Sequence, residues 1–394
     1  MNVRVLLRIM AGAMVMIGLT VSAAAMQGVS DDEIVIGTHT ALSGPVAGWG
    51  LSVSQAIRLR FDEVNAAGGI HGRKIKYIVE DSQYQVPIAV QKANKLINRD
   101  KVFAIIASLG TPMNNAVFKL QLPKDIPSLF PYTLARSMVE PFHPLKFSLA
   151  SSYYDQHRAA VKYFVEERGK KNVCLMYVDT DFGQETYEAV TDQLEEMNMS
   201  LVAETTHKAS ETNFVGAITK LRNAKCDVVM VGTIIQDTIL SVATARKMGW
   251  NVDMVGNTAA CNQVVASKGG KALDGFYAVS GLEIAYKDQL DNERAKAFFK
   301  NYEERYGSAP GGQAQVGYMA ADMTVIALQN AGRNLTVEKF VEGMEAIDNY
   351  PSIFGGPTRS FGPDKHAAAT ESVLLVVKDG RWVSPTGEKL LLDY

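Results

Sequence analysis

Ile34-Val35-Ile36-Gly37, followed by His39-Thr40-Ala41-Leu42-Ser43-Gly44-Pro45, decides how this chain folds. A short continuous apolar run passes into a polar, glycine-bearing loop. The run has no alternation, as expected of a strand covered on both sheet faces. Beyond the loop, Val53, Ala56, Ile57, Leu59, Phe61 and Val64 recur at helical spacings and mark one buried stripe. Asn65-Ala66-Ala67-Gly68-Gly69 supplies a left-handed stop, and residues 75–81 read as a second strand. A strand, a helix and a strand joined by a right-handed crossover seed a parallel sheet. The loop at the carboxyl end of the first strand is where such open sheets place ligands.

The same unit recurs outward from this seed. Apolar strand runs are expected at 102–107, 126–130, 173–178, 201–206, 227–231, 255–256, 276–280 and 373–378, with helices between most of them. One series ends near residue 150 and a similar series begins there, so two lobes of one architecture are expected. Three further helices follow at 292–306, 316–331 and 336–346. A length of 394 residues fits two domains.

Composition excludes several classes. Apolar residues make up 47% and charged ones 21%, which fits a folded globular protein. No basic stripe appears, so a nucleic-acid partner is not expected. Residues 1–25 carry Arg4 and Arg8 without an acid, then an apolar core at 9–21, then Ser22-Ala23-Ala24-Ala25. That is the pattern of a cleaved signal peptide, with a core short for a membrane span. Removing its two positive charges from the chain's net −2 leaves −4. A soluble, exported mature protein is expected. Three cysteines leave at least one free thiol. Cys174 reads as a buried strand residue, and a bridge between Cys226 and Cys261 is open.

Enzyme signatures are weak. Lys268-Gly269-Gly270-Lys271 lacks the spacing of a phosphate loop, and Gly48-Trp49-Gly50 lacks the third glycine of a dinucleotide loop. Leu42-Ser43-Gly44 is no nucleophile elbow. The histidines show no metal-ligand spacing. Neither a metal nor a cofactor is expected. Asp81 is expected to tie its loop by local hydrogen bonds.

Leu42-Ser43-Gly44-Pro45, Asn65-Ala66-Ala67-Gly68-Gly69-Ile70, Gly72-Arg73, Glu80-Asp81, Ala93-Asn94-Lys95-Leu96-Ile97 and Asp181-Phe182-Gly183 occur in that order behind the leader. Together they resemble the periplasmic solute-binding proteins of the branched-chain amino acid type, which serve bacterial ABC importers. The resemblance covers about residues 33–383. It implies an α/β fold of two Rossmann-like lobes with mainly parallel sheets, joined by three hinge crossings, with the ligand in the cleft between them. On that pattern the first lobe takes 26–149 and 281–355, and the second takes 150–280 and 356–394. Crossings then fall near Leu149, near Gly281 and between Phe354 and Phe361. A monomer working with an inner-membrane permease is implied, and no enzymatic activity.

The family's ligand positions map onto Ser108, Leu109, Gly110, Thr111, Tyr132, Thr133, Phe182, Thr233, Ile234 and Thr258; Ser43, which caps a turn or touches ligand, and the large flat Tyr84 and Tyr154 complete the candidate set. Ser108-Leu109-Gly110-Thr111 precedes a helix whose first amides carry a partial positive field, suited to a ligand carboxylate. Thr111 before Pro112 is equally suited to a plain helix cap; the family placement favours a site. Thr258 is neutral where amino-acid-binding relatives commonly hold a carboxylate for the ligand ammonium, and Ile234 is apolar. A buried ammonium without a counter-charge costs several kcal/mol. Asp155, Asp181 and Asp237 are the alternative partners. Trp49, Tyr84, Tyr132, Tyr154 and Phe182 fit an apolar or aromatic body. The expected ligand is therefore a small organic acid with such a body. A branched-chain or other amino acid is the alternative. A sensory ligand-binding protein for a membrane receptor is a second, and an enzyme on the same scaffold a third.

Overall fold

The computed structural model describes residues 26–44 and 46–392. The signal peptide read at 1–25 lies outside them, as does Pro45. Strands β1 (Glu33–Thr40), β2 (Lys74–Asp81), β3 (Ala104–Ile106), β4 (Ser128–Leu129) and β5 (Lys146–Phe147) form one sheet. Its order is β2-β1-β3-β4-β5 and every pairing is parallel. Strands β6 (Val173–Val178), β7 (Ala203–His207), β8 (Val228–Gly232), β9 (Asp253–Gly256) and β10 (Tyr277–Ser280) form the parallel part of a second sheet. Strands β11 (Ser372–Lys378), β12 (Arg381–Val383) and β13 (Leu391–Leu392) add an antiparallel edge to it. The expected pair of mainly parallel lobes is therefore present.

The seed unit forms as its pattern dictates. Helix α1 (Ala47–Ala66) crosses from β1 to β2 and buries Val53, Ala56, Ile57, Leu59, Phe61 and Val64. Strand β6 is buried at every position, consistent with its unbroken apolar run. Helices α2 (Val86–Asn98) and α3 (Thr111–Gln121) complete the first layer. The second lobe carries α4 (Tyr153–Glu166), α5 (Asp181–Glu196), α6 (Val215–Asn223), α7 (Gln236–Lys247) and the short α8 (Gln263–Lys268). The late helices α9 (Glu293–Tyr306), α10 (Gly312–Ala331) and α11 (Val337–Glu345) return to the first lobe. Helix α10 lies directly on α1, because Gly317 has no side chain. A Cβ there would stand 2.4 Å from the Val53 carbonyl oxygen. Phe340 of α11 meets Phe103 edge-on at 5.4 Å, which ties the tail into the first core.

The chain passes between the sheets after β5, after β10 and before β11. Ser148 donates its backbone N–H to the His366 carbonyl at 2.9 Å, and Ala368 returns one to Ser148 at 3.0 Å. Phe361 packs on Phe130 and Phe147 at 5.9 and 5.7 Å. Residues 359–368 thus run beside the end of the first sheet, and the third passage comes just before Ser372. That is later than the window between Phe354 and Phe361, because Phe361 is buried in the first core.

The cysteines pair differently from the open alternative. Cys174 in β6 is bonded to Cys226, which leads into the neighbouring strand β8, with 5.8 Å between the α-carbons. Cys261 is the free, buried thiol, so a bridge between Cys226 and Cys261 is excluded.

Candidate ligand-binding site

The carboxyl ends of strands from both sheets face one another. Between them lies an inner cavity of about 50 Å³. The first lobe supplies Trp49, Tyr132, Thr133 and Leu149; the second supplies Tyr153, Thr258 and Ser280. Leu282 and Glu283 follow the second passage, and Gln313 and Val316 come from α10. An outer hollow of about 580 Å³ adjoins it, sharing Trp49 and Gln313, and adds Tyr84, Ile234 and Asp237.

The amino end of α3 is built tightly. Gly110 sits at φ 101°, which a glycine tolerates, and a Cβ there would lie 2.8 Å from the Tyr84 ring. Leu109 bridges Tyr132: the Tyr132 N–H donates to the Ser108 carbonyl at 2.8 Å. Asn114 Nδ2 donates to the Ser108 and Gly110 carbonyls at 2.9 and 2.8 Å. The Ser108 hydroxyl points back into the sheet, 3.5 Å from the Thr38 hydroxyl. Thr111 Oγ1 lies 2.7 Å from Thr133 Oγ1. Thr133 lines the inner cavity, so the helix end reaches that cavity through this hydroxyl pair. Thr111 itself faces a separate hollow with Asn115, Arg136 and Asp181.

Other expected positions divide. Thr258 lines the inner cavity; its hydroxyl donates to Gln156 Oε1 at 2.9 Å and accepts the Gly281 N–H at 3.0 Å. It holds the second passage as well as the wall. Ile234 and Tyr84 line the outer hollow and pack with Trp49 and Tyr132. Phe182 meets the Tyr153 ring edge-on at 5.0 Å and backs the wall from behind. Tyr154 faces away from the cavity: its hydroxyl donates to Asp192 at 2.6 Å and its ring lies under Arg136. One residue on a helix turns the side chain by about 100°, and Tyr153 takes the wall instead. Thr233 is fully buried, with its hydroxyl 2.7 Å from that of Thr238. Ser43 donates to Asp81 at 2.6 Å, and Asp81 also accepts the Leu42 and Gln83 N–H groups at 2.9 Å. Asp81 therefore ties its loop, and Ser43 lines neither cavity.

Sequence reasoning missed Tyr153, Ser280, Leu282, Gln313 and Val316. The last two stand on a helix remote in sequence from every strand-end loop, and no local motif marks them.

Electrostatics favour a neutral wall. Burial pushes the Cys261 thiol and the Tyr153 phenol on the inner wall up to about 12. The three acids considered as counter-charges are engaged elsewhere. Asp155 accepts the Ser152 N–H in a capping box, and Asp181 accepts Asn115 Nδ2 at 2.8 Å. Asp237 accepts the Ile234 N–H at 2.9 Å and sits 3.1 Å from His207 Nε2. Glu283, the acid on the inner wall, pairs with Lys389 at 2.7 Å.

One edge of the cleft is fastened shut. The Arg136 N–H, from the first lobe, donates to Glu185 of α5 at 2.7 Å, and its guanidinium pairs with Glu188 at 2.7 Å. Burial raises the Glu185 carboxyl to about 7, against the lowering effect of the N–H bonds from Arg136 and Tyr154. Among the described residues no group of three or more His, Cys, Asp or Glu could hold a metal, and no helix is long and apolar enough to cross a membrane.

The periplasmic binding protein family model matches residues 33–381. The leucine-specific-binding protein of Salmonella typhimurium is 24% identical over 256 residues, which cover 65% of this chain and 69% of that protein. A fatty acid ABC transporter substrate-binding protein from Thermomonospora curvata superposes with a TM-score of 0.81 at 22% identity, covering 93% of each chain. A solute binding protein of an ABC transporter from R. palustris, solved in complex with benzoate, gives a TM-score of 0.77 at 19% identity over 91% of this chain and 95% of that one. At these identities the solved structures show the fold. The chain belongs to the periplasmic binding protein family, in the branched-chain amino acid transporter group with the type I fold, and is a ligand-binding receptor and not an enzyme.

Proposed function

We propose that this receptor works in the periplasm as a monomer, hands its solute to an ABC permease in the inner membrane, and binds a small organic acid with an apolar or aromatic body. The lobes in this reading are 26–149 with 281–368, and 150–280 with 369–392, closing by a hinge motion whose equilibrium the ligand shifts. One observation carries the choice of ligand: Trp49, Tyr132, Tyr153, Leu149 and Leu282 wall the inner cavity, while its acid, Glu283, is already paired with Lys389. A carboxylate gains charge-assisted hydrogen bonds from hydroxyls and helix-end amides beside Thr111 and Thr133. An ammonium beside that wall must first displace Lys389. The R. palustris protein's benzoate complex supports this reading. The leucine-specific relative supports a second, a branched-chain amino acid with Glu283 as its ammonium partner. Calorimetry decides between them. Benzoate or phenylacetate should bind at micromolar levels and leucine at least a hundredfold more weakly; tight leucine binding without aromatic-acid binding reverses the assignment.

A further inference from the structure

With the lobes fastened at Arg136, the inner cavity offers about 50 Å³. A cavity of about 150 Å³ is known to hold benzene. A ring with a carboxylate therefore does not fit inside that cavity in this closed arrangement. The outer hollow, at about 580 Å³, has the size of a small-molecule site. The two share Trp49 and Gln313 as walls, so they are successive compartments of one cleft.

We propose that the site takes an elongated monocarboxylic acid, its head in the inner cavity and its apolar body running past Trp49 and Gln313 into the outer hollow. This rests on the acid-receptor reading above. The outer walls suit an uncharged body. Val46, Trp49 and Tyr84 come from the first lobe, and Ile234, Ile235 and Val264 from the second. Val46, Trp49, Tyr84 and Ile234 pack as one apolar cluster across the cleft. The acid on this wall, Asp237, is held by His207 and the Ile234 N–H, and Lys268 is exposed at the rim. A body lying here touches both lobes, so its length adds directly to the closing force.

Calorimetry with two series tests this: benzoate through 4-phenylbutanoate, and butanoate through decanoate. Each added methylene that reaches the outer hollow should tighten binding about fourfold, over several steps in both series. Ile235→Asp, and independently Val264→Asp, should flatten that slope; thermal melting identifies whichever variant folds. Short acids that bind while longer ones bind no better, or worse, overturn the elongated ligand and leave the acid receptor standing. Binding of no acid at all overturns both.

Discussion

Gly183→Ala should destabilise the protein by about 3 kcal/mol or more. Gly183 lies in the first turn of α5, where a Cβ would stand 1.8 Å from the Val178 carbonyl oxygen at the end of β6. No rotamer relieves a clash with backbone, so α5 must lift from the sheet. That helix carries Phe182 behind the cavity wall and Glu185 and Glu188 at the fastened edge, so ligand binding should fall with stability. Gly216→Ala is the control. It sits in α6 with nothing within 4 Å of its Cβ position. That change should leave stability unchanged or raise it by up to about 1 kcal/mol. Urea unfolding of both variants reads the difference. Equal stability of the two would show that α5 does not seat on β6 as described.

Removing the Cys174–Cys226 bridge should cost about 4 kcal/mol, since it closes a loop of 52 residues. The Cys174→Ala, Cys226→Ala double variant should unfold at lower urea, and reductant should bring the native protein to the same midpoint. Cys261→Ala should not reproduce the loss, because that thiol is free. If reductant leaves the midpoint of the native protein in place, the bridge carries no stability.

The framework of this fold was legible because its signals are local. Unbroken apolar runs at β6 and β8 mark strands covered on both faces, and the α1 stripe marks its buried side. Elements without a period were not legible: α8 has six residues, and β12 and β13 are short edge pieces. The cysteine pairing follows from strand adjacency, β6 beside β8, which spacing along the chain does not encode. Within the site, Thr133, Thr258, Tyr132 and Ile234 stood where strand-end loops place them. Ser108 was expected at the ligand but turns towards Thr38, because side chains alternate along an extended segment and one step reverses the facing. Tyr154 turns to Asp192 while Tyr153 lines the cavity, for the corresponding helical reason. Gln313 and Val316 depend on how α10 folds back onto α1, a long-range contact.

The proposed acid should sit between the lobes with its carboxylate at the amino end of α3. A crystal structure of the protein with bound phenylacetate tests this placement most directly. The carboxylate should lie within hydrogen-bonding distance of Thr133 or Thr111, with the ring in the outer hollow against Trp49 and Tyr84. A ring found there with its carboxylate turned to Lys268 instead, or a ligand bound outside the cleft altogether, would contradict it.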